Sequence, residues 1–351
     1  MTYIKKPSVS HPNLPKNSLG LTRRDYEGGL STLCAGCGHD SVTAAIIQAC
    51  FELEVEPYQV GKMSGIGCSS KTPGYFLSQA HGFNSVHGRM PSVTTGANAA
   101  HRDMVYLGVS GDGDTGSIGF GQFAHAIRRR LNMLYIIENN GVYGLTKGQF
   151  SALADQGAVS KRGDANGYGP VDSVQFAIQM GAGFVARSFS GDRKQLVNLI
   201  KAGLSYKGFA LIDVISPCVT FNNHEGSTRS YSHTRSASEV ITEVDYVMEQ
   251  SSIEIESTPG QGQEVQLHDG SKIFVKSLDE GYNPSDARAA MNLLEDHQSR
   301  GIIATGLVFC QKEAPDFHDL LGTVKTPLRD IPFQKLCPGS DALSRLNSEF
   351  R

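Results

Sequence analysis

The sequence predicts an α/β fold in which helices cover both faces of a mainly parallel sheet, with a C-terminal extension. Continuous apolar runs such as MVYLGVS and MLYIIE are typical of strands buried in a parallel sheet. These runs alternate with helix-like segments, as expected for a chain of strand–helix–strand units. The alternation ends near Gly226, where the extension is predicted to begin.

The predicted elements follow in order along the chain. The segment His39–Leu53 has a helical pattern, with Asp40 or Ser41 as a candidate N-cap. A stretch rich in Gly, Ser and Thr over residues 61–100 leads into a helix predicted at Thr95–Arg102. The alternating segments are then MVYLGVS, GFGQFAHAIRRRL, MLYIIE, DSVQFAIQMG, FVARS, GDRKQLVNLIKAGLSYK and FALIDVI. Right-handed crossovers would place the functional loops in a crevice at the carboxyl ends of the strands.

Three regions are predicted. Residues 1–30 are polar, proline-bearing and without periodicity, which indicates an extended N-terminal arm. Residues 31–226 form the main domain, and residues 227–351 the C-terminal extension. Within the extension, SASEVITEVDYVMEQ has a helix-like pattern, and GQEVQLHDGSKIFVKSL predicts a hairpin that turns at Asp269-Gly270.

Composition excludes several classes of function. The formal charge of −3 and the lack of any block of like charge argue against nucleic acid as a partner. No apolar run approaches the roughly 18 residues of a membrane helix, and the N-terminus lacks the apolar stretch of a secretion signal. A cytoplasmic protein that does not enter the membrane is expected.

The seven cysteines are irregularly spaced, which argues against a secreted disulfide framework. In a reducing cytoplasm, thiols serve metal binding, catalysis or packing. Cys50 lies in an apolar run and is predicted to belong to the core. Cys310 and Cys337 have no cysteine or histidine close by in the sequence and are interpreted as structural.

Two polar loops follow neighbouring strands and predict a magnesium diphosphate site. Asp112, within Gly-Asp-Gly-Asp, comes after MVYLGVS, and Asn140 comes after MLYIIE. On adjacent parallel strands these loops would lie side by side, with a carboxylate, an amide oxygen and a backbone carbonyl suited to Mg²⁺. The glycines permit close approach of a diphosphate, and the following helix would direct its N-terminus towards that charge. The alternatives are two ordinary turns or a Rossmann nucleotide site, although no proper G-x-G-x-x-G follows the strand.

Four further cysteines lie in loops. Cys34 and Cys37 form a Cys-x-x-Cys pair before the first helix, whereas Cys68 and Cys218 stand singly after strand-like runs. Loops gathered at one sheet edge could bring four thiolates to one centre, either structural zinc or an iron–sulfur cluster. Zinc sites usually contain two such pairs, so the spacing favours a [4Fe–4S] cluster slightly and leaves zinc open. Taken alone, the Cys-x-x-Cys pair could also be a redox pair.

Taken together, these motifs resemble the beta subunits of 2-oxoacid:ferredoxin oxidoreductases. The resemblance runs from Leu33 to Phe221 through CAGCGH, SGIGCSSK, HGRM, GDGDTGSIG, ENNGVYGLTKGQ and SPCVTF. The flanking segments, including ARSFSGD, FNNHEGST and LCPGS, resemble the longer 2-oxoglutarate form. One departure is Glu138-Asn139-Asn140, where many family members carry an Asp before the Asn.

The resemblance implies the thiamine diphosphate-binding fold, in its diphosphate-type domain, and a set of site residues. The implied [4Fe–4S] ligands are Cys34, Cys37, Cys68 and Cys218. The implied Mg²⁺ ligands are Asp112, Asn140 and the Val142 carbonyl. The implied thiamine diphosphate contacts are Ile66, Gly67, Cys68, Ser69, His87, Gly113, Asp114, Gly144 and Leu145. Lys71 and Lys147 fall near the substrate carboxylate and the mouth of the active site, and His87 falls close to the chemistry.

The resemblance also implies an activity and its partners. The activity is coenzyme A-dependent oxidative decarboxylation of 2-oxoglutarate to succinyl-CoA and CO₂, with reduction of ferredoxin and possible reversal. The chain holds only the diphosphate half of a thiamine site, so an alpha subunit is expected in an αβ or α2β2 assembly. The rival functions are an electron-transfer or metal-binding module without catalysis, and a non-redox thiamine decarboxylase or carboligase with structural zinc.

Overall fold

The computed structural model describes residues 12–247, 263–266, 272–277, 282–312 and 314–350. Its main feature is an eight-stranded sheet in the order β2-β1-β3-β4-β8-β7-β13-β9. The strands are β1 (Val60–Ser64), β2 (His81–Asn84), β3 (Val105–Gly111), β4 (Met133–Asn139), β5 (Val142–Tyr143), β6 (Gln149–Phe150), β7 (Phe184–Phe189), β8 (Phe209–Ile215), β9 (Ser238–Val240), β10 (Thr242–Val247), β11 (Gln263–Gln266), β12 (Lys272–Ser277) and β13 (Ile303–Cys310).

The six strands from β2 to β7 in this order all pair in parallel, which confirms the predicted parallel sheet. Every residue of β4 and β8 is buried, as expected for central strands covered on both faces. The C-terminal extension contributes two strands to the same sheet. In these, β13 runs antiparallel to β7, and β9 pairs in parallel with β13.

Helices cover both faces of the sheet, as predicted. The helices are α1 (Gly38–Glu52), α2 (Met90–Ala100), α3 (Phe120–Arg128), α4 (Ser173–Gln179), α5 (Arg193–Ser205), α6 (Tyr231–Ala237), α7 (Ala287–Ser299), α8 (Phe317–Leu321), α9 (Phe333–Leu336) and α10 (Gly339–Glu349). On one face α1 and α5 pack together, and α5 buries Leu196, Leu199 and Ile200 at helical spacing. On the other face α2, α3, α4 and α7 enclose a second core that contains Met90, Phe123 and Leu294.

The carboxyl ends of β1, β3, β4 and β8 open onto the loops that contain the predicted site residues. Pairing of Gly111 on β3 with Glu138 on β4 brings these two strand ends level with each other. The residues that follow them, Asp112 and Asn140, are therefore neighbours because of strand register. The sheet thus places the site at one edge, as the topology of parallel α/β sheets predicts.

Several local predictions are wrong. Helix α1 begins one residue earlier than predicted and its N-cap is Cys37 rather than Asp40 or Ser41. Helix α2 begins at Met90, before the predicted Thr95, because Pro91 suits the first turn of a helix. Residues 238–247, predicted as helix-like, form β9 and β10 instead, because tertiary pairing with β13 and β12 overrides the local pattern.

The predicted hairpin is present, since β11 and β12 pair antiparallel. Its predicted turn at Asp269-Gly270 lies outside the described residues. The described part of the predicted N-terminal arm packs against α1, where Asn17 Nδ2 donates to the Phe51 carbonyl oxygen at 3.3 Å. Tyr26 is fully buried in the same contact. Among the described residues, none of the helices has the length and apolar character needed to span a membrane.

Candidate active site at the carboxyl edge of the sheet

Asp112 follows β3 as a buried carboxylate, with only 1% of its surface exposed. Its Oδ2 accepts a hydrogen bond from Ser151 Oγ. Burial raises the pKa of Asp112 to about 6, although Ser151, the nearby Arg229 charge and a backbone hydrogen bond at Asn140 oppose this rise. A buried carboxylate of this kind is incompletely compensated by the protein, so the site is suited to a bound cation.

Asn140 follows β4 and is held from two sides. Its Oδ1 accepts from the Val142 backbone N–H at 3.0 Å, and its carbonyl oxygen accepts from Asn222 Nδ2 at 2.7 Å. Asn140 and Val142 are both buried. Together with Asp112 they supply oxygen atoms from two adjacent loops. Mg²⁺ prefers oxygen ligands.

Asp114 organises the loops around this centre. Its carboxylate accepts from Ser110 Oγ at 2.6 Å, from the Gly88 N–H at 2.7 Å and from the His87 ring. The Ile66 N–H also donates to it, at 3.3 Å. Asp114 therefore connects the ends of β1 and β3 with the turn before α2. Its carboxylate is fully engaged by protein donors and orients the His87 ring.

Cys68 and Cys218 meet beside Gly144. A Cβ atom placed on Gly144 would lie 3.6 Å from the Sγ of Cys68 and 3.6 Å from the Sγ of Cys218. The two sulfur atoms are thus both close to one point on the loop that follows Asn140. The loop that holds Asn140 and Val142, two of the predicted magnesium ligands, therefore also borders two of the predicted cluster ligands.

Cys34 and Cys37 lie on the neighbouring turn before α1. The Cys37 N–H donates to the Cys34 carbonyl oxygen at 3.0 Å, and Thr220 Oγ1 donates to Cys34 Sγ at 3.3 Å. The Gly38 N–H donates to the Pro217 carbonyl oxygen at 3.2 Å. The Cys-x-x-Cys turn is thereby packed onto the loop that contains Cys218.

The pKa values of the thiols also indicate that the four cysteines lie near one another. Burial raises the pKa of Cys37 to about 12, and the charges of Glu138 and Cys218 add to the rise. Burial likewise raises the pKa of Cys68, with contributions from Cys218 and Cys34, whereas Lys71 opposes it. Among the described residues, no three His, Cys, Asp or Glu side chains are close enough to hold a single metal ion. The four thiols are gathered in one region without being drawn onto one point.

The mouth of the site contains two exposed lysines and an apolar rim. The N–H of Lys71 donates to the Cys68 carbonyl oxygen at 3.1 Å, and the N–H of Lys147 donates to the Gly144 carbonyl oxygen at 3.2 Å. Lys147 has a φ of 79°, an unusual conformation for a residue other than glycine. The rim consists of the exposed apolar residues Ile66, Val86, Ile118 and Leu145.

A family model and curated relatives match this region. Residues 60–214 match the thiamine pyrophosphate enzyme, C-terminal TPP binding domain. A 2-oxoacid:ferredoxin oxidoreductase subunit beta from a Sulfolobus species is 42% identical over 193 residues, which cover 54% of this chain and 63% of the relative. The 2-oxoglutarate synthase subunit KorB of Methanocaldococcus jannaschii is 37% identical over 192 residues, which cover 54% of this chain and 69% of the relative.

A solved structure matches over a larger share of the chain. It is the 2-oxoglutarate:ferredoxin oxidoreductase from Magnetococcus marinus with 2-oxoglutarate, coenzyme A and succinyl-CoA bound. The TM-score is 0.70 at 28% identity, and the match covers 86% of this chain and 89% of that chain. The chain belongs to the family of 2-oxoacid:ferredoxin oxidoreductase beta subunits.

Membership of this family identifies residues 60–214 as a thiamine diphosphate-binding domain. The matched stretch spans less than two thirds of the Sulfolobus relative, at 63% of its length. The predicted cofactor residues lie in the loops and short helical turns at the same edge of the sheet. They are Ile66 to Ser69, His87, Gly113, Asp114, Gly144 and Leu145.

Several residues at this edge had no sequence signal of their own. Ser151 and Asn222 hold Asp112 and Asn140, but an isolated serine or asparagine in a loop is uninformative. His39 is buried, and its Nδ1 lies 2.7 Å from Ser216 Oγ. Burial lowers the pKa of His39 to about 4, so the ring is neutral at pH 7. Only the folded chain reveals such partners, because they come from distant segments.

The hydrogen bonds around Asn139 explain why this chain departs from the family pattern at that position. Asn139 Nδ2 donates to Asp213 Oδ1 at 3.1 Å, inside the sheet. The Asp213 carboxylate also accepts hydrogen bonds from Ser173 Oγ and from Arg187 Nε. An aspartate at position 139 would place a second carboxylate beside Asp213, so the amide suits this surrounding better.

Proposed function

We propose that this chain is the thiamine diphosphate- and cluster-binding subunit of a 2-oxoglutarate:ferredoxin oxidoreductase. The whole enzyme would convert 2-oxoglutarate and coenzyme A to succinyl-CoA and CO₂ while it reduces ferredoxin. The observation behind this proposal is the position of Gly144, which lies on the loop after Asn140 and beside the Sγ atoms of Cys68 and Cys218. A decarboxylation site and an electron acceptor would therefore be adjacent.

The magnesium part of the proposal assigns Asp112, Asn140 and the Val142 carbonyl as ligands. It is supported by the buried Asp112 carboxylate and by the rigid Asn140 loop. Thiamine diphosphate, when bound, supplies the electron sink for loss of CO₂. The role of the protein is to hold the diphosphate through the metal and the amide groups of the turn that begins at Gly113.

The cluster part of the proposal assigns Cys34, Cys37, Cys68 and Cys218 to one [4Fe–4S] centre. It is supported by the approach of Cys68 and Cys218 to Gly144, and by the packing of the Cys34–Cys37 turn onto the Cys218 loop. Such a cluster, when bound, accepts electrons singly and passes them to ferredoxin. Brown colour with absorbance at about 400 nm would distinguish it from the zinc-containing alternatives.

The remaining site residues are assigned to binding and orientation. Ile66, Gly67, Ser69, Gly113, Gly144 and Leu145 line the proposed thiamine diphosphate position. His87, oriented by Asp114, faces the mouth beside Tyr143, with ring centroids 6.4 Å apart. Lys71 and Lys147 supply exposed ammonium groups, on the loops that contain Cys68 and Gly144. These groups would bind the carboxylates of a 2-oxoacid.

An alpha subunit would complete the site. The apolar rim surrounds the mouth and consists of Ile66, Val86, Ile118 and Leu145. All four side chains are exposed, and Leu145, for example, is 54% exposed. Exposed apolar side chains around a functional cleft mark a surface that a partner covers. We assign this rim to the alpha subunit, in an αβ or α2β2 assembly. We also place the enzyme in the cytoplasm, where reduced thiols such as these persist.

The test is anaerobic co-purification of the chain with the protein encoded next to its gene, followed by assays of viologen dye reduction. The proposal predicts coenzyme A-dependent reduction with 2-oxoglutarate, and no turnover by this chain alone. A kcat/KM for pyruvate equal to or above that for 2-oxoglutarate would overturn the substrate assignment and leave the cofactor assignment intact. Full activity of the isolated chain would refute the need for an alpha subunit.

A further inference from the structure

A buried polar chain lies beneath the four thiols. Thr72 Oγ1 donates to the Glu138 carboxylate, at 3.0 Å to Oε2 and 3.2 Å to Oε1. Glu138 Oε2 lies 3.6 Å from His39 Nδ1, which in turn lies 2.7 Å from Ser216 Oγ. Each of these four side chains is at most 2% exposed. They form one line of polar groups inside the sheet edge.

The members of this line come from the segments that contain the four cysteines. Thr72 lies in the helical turn Ser69–Gly74, directly after Cys68. His39 is in the first turn of α1, two residues after Cys37, and Ser216 precedes Pro217 and Cys218. Glu138 is on the central strand β4 and is therefore the rigid member to which the others connect. The line joins the three cysteine-bearing loops to one strand.

Further contacts fix the loops at both ends of the line. The Ser216 N–H donates to the Asn139 carbonyl oxygen at 2.8 Å. A Cβ on Gly38 would lie 2.5 Å from Ser216 Oγ, so the turn of α1 lies directly on this serine. At the other end, the buried Lys62 Nζ donates to the carbonyl oxygens of Pro73 and Phe76, each at 2.8 Å. The loops are thus attached to the sheet by buried side chains in addition to the backbone hydrogen bond at the end of β4 and β8.

We propose that Thr72, Glu138, His39 and Ser216 are positioning residues for the iron–sulfur centre, and this inference rests on the proposed function. Buried polar groups are retained when they are mutually satisfied, and removal of one member leaves another without its partner. Loss of one hydrogen bond would remove one of the contacts that hold a cysteine loop in place. The cluster would then be held in altered geometry and be lost more readily.

The test uses the full chain, purified anaerobically with its partner. Thr72→Val removes the hydroxyl at nearly constant volume, and Ser216→Ala removes the one at the opposite end. Thr94→Val is the matched control, because Thr94 is equally buried and its Oγ1 donates to the Met90 carbonyl oxygen at 2.8 Å, within α2. The measurements are the rate at which a chelator strips iron, followed by visible absorbance, and the electron paramagnetic resonance spectrum of the reduced protein.

Each network variant is expected to lose iron about tenfold faster than wild type, which corresponds to the loss of one buried hydrogen bond of about 1.4 kcal/mol. The g-values should also shift. Thr94→Val should keep the wild-type spectrum and rate even if its Tm falls, and Thr72→Ser should restore both. Wild-type spectra and iron-release rates in Thr72→Val and Ser216→Ala would overturn this inference and leave the proposed cluster ligands unaffected. A wild-type complex without iron would overturn the inference together with the proposed cluster.

Discussion

The two halves of the candidate site are built in different ways. Asp112 and Asn140 follow strands that pair directly, so the register of β3 and β4 brings them together. Cys68 and Cys218 follow β1 and β8, which are separated in the sheet by β3 and β4. Their loops must reach towards each other over the sheet edge. Strand pairing thus preorganises the magnesium side, whereas loop packing and buried side chains organise the thiol side.

The proposed magnesium ligands are also more deeply buried than most of the proposed cluster ligands. Asp112 and Asn140 are both buried, whereas among the four thiols only Cys37 is buried, Cys34 is exposed, and Cys68 and Cys218 are partly buried. Regions fixed by few buried contacts open at lower free energy than regions fixed by core strands. The thiol side is therefore expected to be the more fragile half.

The largest effect is expected from the cysteines. Serine at Cys34, Cys37, Cys68 or Cys218 removes a ligand that no neighbouring group replaces, so visible absorbance and ferredoxin reduction should be lost. Cys337→Ser is the control, because that thiol is exposed and outside the site. Iron analysis of anaerobically prepared protein measures the outcome. Stoichiometric zinc with no iron would refute the assignment.

The next largest effect is expected at Asp112. Asp112→Ala removes the only carboxylate among the proposed magnesium ligands, so thiamine diphosphate should no longer co-purify while the iron content stays at the wild-type level. Ser151→Ala removes only one hydrogen bond to that carboxylate and should weaken cofactor affinity by severalfold, for a loss of about 1 kcal/mol. Wild-type cofactor binding in Asp112→Ala would mean that the loop is assigned incorrectly.

A pH effect of intermediate size follows from the same residue. Because burial raises the pKa of Asp112 to about 6, its stabilising contribution to the cofactor-free protein is present at low pH and is lost as pH rises through about 6. The shift corresponds to roughly 3 kcal/mol. Binding of Mg²⁺ needs the ionised carboxylate, so the affinity for magnesium diphosphate should fall as pH drops below about 6.

This effect can be isolated with Asp112→Asn, which keeps the size of the side chain and cannot ionise. The free energy of unfolding of the wild type relative to the variant, both without cofactor, should fall as pH rises from about 4 to about 7. Other buried groups, including His39 and Glu138, cancel in that difference. An unchanged difference across this range would contradict the proposed burial of an uncompensated charge.

The smallest effects are expected from the two lysines at the mouth. Lys71→Ala should lower turnover with 2-oxoglutarate and pyruvate alike, because its ammonium group would contact the carboxylate that both acids share. Lys147→Ala should raise KM for 2-oxoglutarate more than for pyruvate if it meets the distal carboxylate. Equal effects of Lys147→Ala on the two acids would move that role to the partner subunit.

The contrast between the two halves also explains what could be predicted from the sequence. Asp112 and Asn140 were predicted to be neighbours because apolar strands and their following loops are local patterns, and parallel topology supplies the rest. The four cysteines could be listed, but their ligand role came from resemblance to a family, since spacing alone left zinc open. Ser151, Asn222, His39 and Ser216 were missed because a single polar residue has no local signal. Residues 238–247 were predicted as helix-like because their strand structure depends on partners that lie 25 or more residues away in the sequence.

The most direct test of the account is whether one chain holds both centres in electronic contact. The anaerobic complex is mixed with 2-oxoglutarate and coenzyme A, without ferredoxin, and is frozen for electron paramagnetic resonance. The account predicts about four iron atoms per thiamine diphosphate, and a reduced-cluster signal that requires substrate and is absent from Asp112→Ala. A wild-type complex that binds thiamine diphosphate and decarboxylates 2-oxoglutarate, yet contains zinc and gives no signal, would contradict it.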